Sequence, residues 1–152
     1  MGLLDNLGGV NLNKVFEMAQ KEYSQLTFKL KSCDKDRLEF TGDIVAEKYF
    51  DDSVWLKCVC YASGCIHVFL VFDKLDADTE NYRLINDFNC NSSFLRGYIN
   101  NNGYFEIHYS AIDLKSNKLL TDSFVFALNQ LLSENTLQYL KPITYNTYSN
   151  NN

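Results

Sequence analysis

Residues 54–72, VWLKCVCYASGCIHVFLVF, decide the fold. Apolar side chains fill every second place on either side of Ala62-Ser63-Gly64. A three-residue loop with glycine near its end joins two antiparallel strands and sets Tyr61 opposite Cys65. One face then carries Val54, Leu56, Cys58 and Cys60 against Ile66, Val68, Leu70 and Phe72, and that wholly apolar face is the core. The other carries Trp55, Lys57, Val59 and Tyr61 against Cys65, His67, Phe69 and Val71. Its polar members are Lys57 and His67, so something must cover it, either another element of this chain or another chain. Trp55, Val59, Tyr61, Phe69 and Val71 are therefore the candidate interface.

Upstream, Asn11 or Asn13 caps a first helix, whose buried stripe is Leu12, Val15, Phe16, Ala19, Tyr23 and Leu26 at helical spacing. The period then changes to two. Leu26, Phe28 and Leu30 alternate with polar residues, Ser32 to Asp36 turns, and Leu38 and Phe40 resume the alternation as a hairpin with one wet face. Gly42-Asp43 and Asp51-Asp52-Ser53 mark two further breaks. Downstream, Asp76 or Asp78 caps a second helix bearing Tyr82, Leu84, Ile85 and Phe88, which ends at Cys90-Asn91-Ser92. Phe94 to Asn100 and Tyr104 to Ile112 form another hairpin. With Gly103 in the left-handed position, Ile99 faces Phe105, Gly97 faces Ile107 and Leu95 faces Tyr109. Thr121 caps a third helix with Phe124, Val125, Leu128, Leu131 and Leu132, whose pattern runs on to Lys141-Pro142 and stops there.

The expected architecture is α+β, an antiparallel sheet of five to six strands with three helices in the order α-β(3-4)-α-β-β-α. Residues 1–10 read as a flexible leader, 11–143 as a single domain and 144–152 as a disordered tail. A chain of 152 residues has room for one core. The net charge of −5 argues against a nucleic-acid backbone as partner. The first ten residues lack the basic start and apolar stretch of a signal peptide, and the longest apolar run, Cys65 to Phe72, is far short of a membrane span. The expectation is a soluble, cytoplasmic protein without membrane insertion, and five cysteines in no secreted spacing fit reduced thiols.

The sequence Leu84-Ile85-Asn86-Asp87-Phe88-Asn89 resembles the end of the second helix in the YbjN family of bacterial proteins. The likeness continues through Phe94, Gly97-Tyr98-Ile99, the Asn/Gly turn, Phe105 to Leu114 and Leu120-Thr121-Asp122, and covers about residues 82–132. The element order is similar to that of type III secretion chaperone-like domains. The resemblance implies a non-enzymatic, chaperone-like or regulatory role and a fold of that type.

Chemistry is sparse. Cys58, Cys60 and Cys65 with His67 invite a zinc reading, but the preferred register puts Cys58 and Cys60 on the core face and Cys65 and His67 on the other, whereas zinc needs sulfurs converging on one ion. Buried cysteine acting as a small hydrophobe is the simpler account. Cys65 beside His67 is the one conceivable thiol–base pair. His67 and His108 otherwise read as structural histidines. Asp73, Asp76, Asp78 and Glu80 lack the spacing and glycine of a calcium loop and suit a helix N-terminus. No catalytic, cofactor-binding or metal residue is assigned. The expected function is a protein-binding module, dimeric, acting on an unidentified protein partner. The alternative is a structural subunit of a larger assembly such as a phage or secretion-apparatus component. Elemental analysis of protein purified without added metal or chelator should find no stoichiometric zinc; one zinc per chain would overturn the core-cysteine assignment.

Overall fold

A computed structural model describes residues 9–44 and 54–149. The elements are α1 (Leu12–Glu22), β1 (Lys29–Cys33), β2 (Arg37–Ile44), β3 (Val54–Tyr61), β4 (Cys65–Lys74), α2 (Thr79–Asn91), β5 (Arg96–Ile99), β6 (Tyr104–Ala111), α3 (Asn117–Leu131) and α4 (Glu134–Ser149). The fold is α+β. Its six strands form one antiparallel sheet in the order β1-β2-β3-β4-β6-β5. The register of β3 and β4 pairs Tyr61 with Cys65, and that of β5 and β6 pairs Ile99 with Phe105 and Gly97 with Ile107, as the apolar alternation predicts.

All four helices contribute to a single buried cluster with the inward side chains of the sheet, among them Leu38, Phe40, Leu56, Cys58, Ile66, Leu70 and Ile107. The aromatic richness of the chain has a place here. Phe28 and Phe124 each lie against Phe40, with ring centroids 5.3 and 5.4 Å away, and Phe16 meets it edge-on. Such contacts bury large area in defined geometry and tie α1, the first hairpin and α3 together. Asn11 is the cap of α1, its side chain accepting from the Lys14 amide, and Asp78 is the cap of α2.

Several expectations need correction. Gly42-Asp43 is no break but lies inside β2, where the ring of Phe28 covers Gly42 so closely that a Cβ would come within 2.8 Å of it. The third helix begins at Asn117 under a Ser116 cap, while the Thr121 hydroxyl donates to the Asn117 carbonyl inside the helix. What reads as one C-terminal helix is two. Ser133 separates them, its hydroxyl donating to the Gln130 carbonyl at 2.9 Å and accepting from the Thr136 amide at 3.3 Å. One side chain thus closes α3 and caps α4.

Pro142 does not stop the helix: α4 runs through it to Ser149, so 144–149 are helical rather than a disordered tail. Proline removes the bond to the carbonyl four residues back, which belongs to Gln138, and both residues lie on the exposed side where water can serve that group. Leu137, Leu140, Ile143, Thr144 and Thr147 continue the buried stripe across the proline. The Thr144 and Thr147 hydroxyls donate to helix carbonyls, which satisfies them in the core. Residues 1–8, which hold most of the expected leader, and 45–53 and 150–152 lie outside the described residues. Among the described residues no helix is long and apolar enough to cross a membrane.

Leu70, 2% exposed at the middle of the sheet, tests the packing. Leu70→Ala should cost about 2–5 kcal/mol in chemical denaturation, through lost transfer energy and a cavity; a loss below about 1 kcal/mol would contradict this placement.

Candidate functional site

The strand order turns the outward face into four rungs. Asp43, Trp55, Val71, Glu106 and Tyr98 form the first, and Thr41, Lys57, Phe69, His108 and Arg96 the second. Glu39, Val59, His67 and Ser110 make the third, and Arg37, Tyr61 and Cys65 the fourth. The candidate interface residues share this face but not one exposure. Trp55 is 42% exposed, whereas Val59 is 4% exposed and yet stands outside the main core cluster. Glu39 and His67 are its cross-strand partners on that rung. Tyr61, Phe69 and Val71 are half-buried.

Around Val59 the polar residues pair with one another. Glu39 takes the Arg37 guanidinium and lies 3.5 Å from the Lys57 ammonium. Burial alone would raise the Glu39 carboxyl, but the Arg37 hydrogen bond and the Lys57 charge outweigh it and hold the group below its ordinary value. At the other side of the sheet the Tyr98 hydroxyl donates to Glu106, and the Asn100 amide donates to the second Glu106 oxygen at 3.1 Å. Burial, followed by the Glu106 bond and charge, pushes the Tyr98 phenol far up.

Between these lies a chain of three chemically active groups. Cys65 Sγ is 3.3 Å from His67 Nε2, and His67 Nδ1 is 2.9 Å from His108 Nε2. The imidazole planes lie within 11° of each other with centroids 5.2 Å apart, the spacing of two nearly coplanar rings joined edge to edge by a hydrogen bond. Phe69 stacks on His108 at 4.6 Å and Tyr61 meets His67 edge-on. A neutral thiol donates far better than it accepts, so the consistent arrangement has the Cys65 S–H pointing at His67 Nε2 and the His67 Nδ1–H pointing at His108 Nε2. Burial, and next the neighbouring His67, lower the His108 pKa; Glu106 opposes them without winning. The lowered pKa favours the neutral, accepting form of His108.

The sequence pairs Cys65 with His67 because they are two apart on one strand, but it does not bring His108 to them. That contact needs β6 to lie beside β4, a pairing between two hairpins that the alternation within each hairpin does not encode. The signal was present in part, since both registers turn the two histidines outward.

Both ring nitrogens of His67 are engaged, and Cys58 and Cys60 sit in the core with their sulfurs 3.8 Å apart. Among the described residues no three His, Cys, Asp or Glu side chains are placed to hold a metal ion. Of the acidic run, Asp78 caps α2 by accepting from the Asn81 amide at 2.8 Å, and Glu80 pairs with Arg83. A cleft of about 270 Å³ lies between the end of α2 and the α3–α4 turn, lined by side chains such as Asn91, Ser93, Gln130 and Tyr139. It holds amides, hydroxyls and aromatic rings, without a carboxylate, imidazole or thiol. No protein-family model, curated protein or solved structure matches the chain.

The lowered His108 pKa gives a pH dependence with a definite sign. The unfolded chain binds a proton near the ordinary value of 6.5, which the folded state resists. Its contribution is therefore full above that value and is lost as pH falls through the folded pKa. The melting temperature should drop as pH is lowered below 6.5, and His108→Gln should flatten part of that drop. An unchanged slope in the variant would place the proton uptake elsewhere.

Proposed function

We propose that this chain is a non-enzymatic protein-binding module that pairs with a second copy of itself through the outward face of its sheet. One observation carries the reading: Trp55 is 42% exposed beside half-buried Phe69 and Val71, on the face away from the helices. Aromatic side chains in such positions serve as interface anchors, because they bury large area for few rotatable bonds.

The charges on the same rungs favour a self-complementary partner. Asp43 and Glu106 flank Trp55 and Val71, whereas Lys57 and Arg96 lie on the rung of Phe69. A second copy turned about an axis running along the rungs, between the first and second, sets acids near bases and Val71 over Phe69. That is the geometry of an isologous contact. Val59 and Tyr61 play a lesser part, the first because it is already covered, the second because it belongs to the far rung beside Arg37. The resemblance to the YbjN family read from residues 82–132 of the sequence supports a chaperone-like or regulatory use of such a module.

Light scattering of the wild type and of Trp55→Glu at matched concentrations tests the reading. The wild type should have the mass of a dimer. The variant should be a monomer that still melts cooperatively, its melting temperature lowered by the loss of dimer linkage and no longer dependent on concentration. A wild type that stays monomeric at the highest concentration it reaches would overturn the proposal.

A further inference from the structure

Five thiols are present and Cys65 differs from the others in its surroundings. Cys58 and Cys60 are sealed in the core, where burial raises the Cys58 thiol well above its ordinary value. Cys33 is raised by burial and by Asp34, and Cys90 is exposed on α2. Cys65 is half-buried on the outward face and has an imidazole nitrogen 3.3 Å from its sulfur. That imidazole is held in turn by a second one at 2.9 Å. A nucleophile, a base and a group that orients the base are the parts that activate a thiol.

We propose that Cys65 is a nucleophilic thiol that exchanges with low-molecular-weight disulfides, with His67 as its base and His108 as a positioning residue. The Cys65 sulfur attacks one sulfur of the disulfide while its proton passes to His67 Nε2. The disulfide's own S–S bond breaks as the new one forms. The departing thiolate takes the proton back from His67 and leaves as a free thiol. Cys65 is oxidised to a mixed disulfide and the departing half is reduced, so no further oxidant is needed. His108 acts by accepting the His67 Nδ1–H, which keeps the Nε2 lone pair directed at the sulfur and stabilises the transient imidazolium.

The reaction ends at the mixed disulfide. Cys58 and Cys60, the cysteines of the neighbouring strand, face the opposite side of the sheet and cannot resolve it. It is a stoichiometric modification rather than a turnover. The thiol itself lies outside the docking contact, since Cys65 is six residues along β4 from Val71, about 20 Å from the first rung, whereas His108 shares the rung of Phe69.

The test incubates the folded chain with glutathione disulfide at neutral pH, quenches with acid, and reads modification at Cys65 and Cys90 by peptide mass spectrometry. Cys90, the more exposed thiol, is the internal reference. Cys65 should react about tenfold faster than Cys90, a modest share of what a positioned base supplies. His67→Gln should bring the two rates level. His108→Leu should slow Cys65 alone, and His108→Gln, whose amide oxygen still accepts, should recover part of the rate, which a purely structural role would not produce. The proposal is overturned if wild-type Cys65 reacts no faster than Cys90, or if His67→Gln leaves the ratio of rates unchanged.

Discussion

The turn at Gly64 governs the placement of nearly every side chain discussed above. Its φ of 91° lies in the left-handed region that favours glycine, and an added Cβ would come within 2.9 Å of the Leu114 backbone. The Leu114 amide donates to the Gly64 carbonyl at 2.9 Å, so the tip of the central hairpin is tied to the segment leaving β6. This holds the β3–β4 register and braces the β4–β6 pairing at the same end. A slip of one residue would turn Leu56, Cys58, Ile66 and Leu70 outward and bring Trp55, Lys57 and His67 into the core, which the burial of both polar groups forbids. Sorting residues into an inner core and an outer face is thus one decision, made at one loop.

The polar groups of that outer face illustrate how a half-covered sheet surface is made tolerable. Glu39 is flanked by Arg37 and Lys57, Glu106 by Tyr98 and Asn100, and His67 by Cys65 and His108. Each half-buried acceptor has a donor from an adjacent strand or from its own strand two residues away, the separations at which side chains on one face meet. Among the described residues no buried side-chain nitrogen or oxygen lacks a partner. The imidazole pair satisfies itself while leaving one nitrogen toward a sulfur, and this side product of sheet geometry creates the chemically active array.

Much of the fold was legible because alternation at period two is a strong constraint when one face must be dry. Both clear hairpins could be registered from it, along with the caps offered by Asn11 and Asp78. The C-terminal segment was less so. Ser133 and Thr121 are both plausible boundary residues in a run of apolar helix formers, and which one ends a helix depends on the carbonyl each hydroxyl finds. Pro142 is a strong local stop signal, overridden because the buried stripe from Leu137 to Thr147 packs against α2. There Asn146 donates to Asn81 at 2.7 Å, and Asn81 donates to the Asp76 carbonyl at 3.0 Å. That polar link spans 65 positions in the chain and has no local signature. The candidate face was legible as a set of residues, but its internal arrangement was not. Burial of Val59 and the meeting of His67 with His108 both depend on strands that neighbour β3 and β4 in space.

The sheet's edges bear on what a partner could use. A free edge offers unpaired amides and carbonyls to another strand, and natural sheets blunt it with charge, bulges or brevity. Here β1 carries Lys29 and Lys31 and is interrupted by an irregularity between Leu30 and Ser32. At the far side β5 is four residues long, begins with Arg96, and has the Asn89 side chain bonded to both the amide and the carbonyl of Gly97. Neither edge suits strand addition over any length. The inward face is filled by helices. For the self-association proposed above, the outward face, with its exposed indole at Trp55 and its paired charges at Glu39 and Glu106, is thus the surface left to bury.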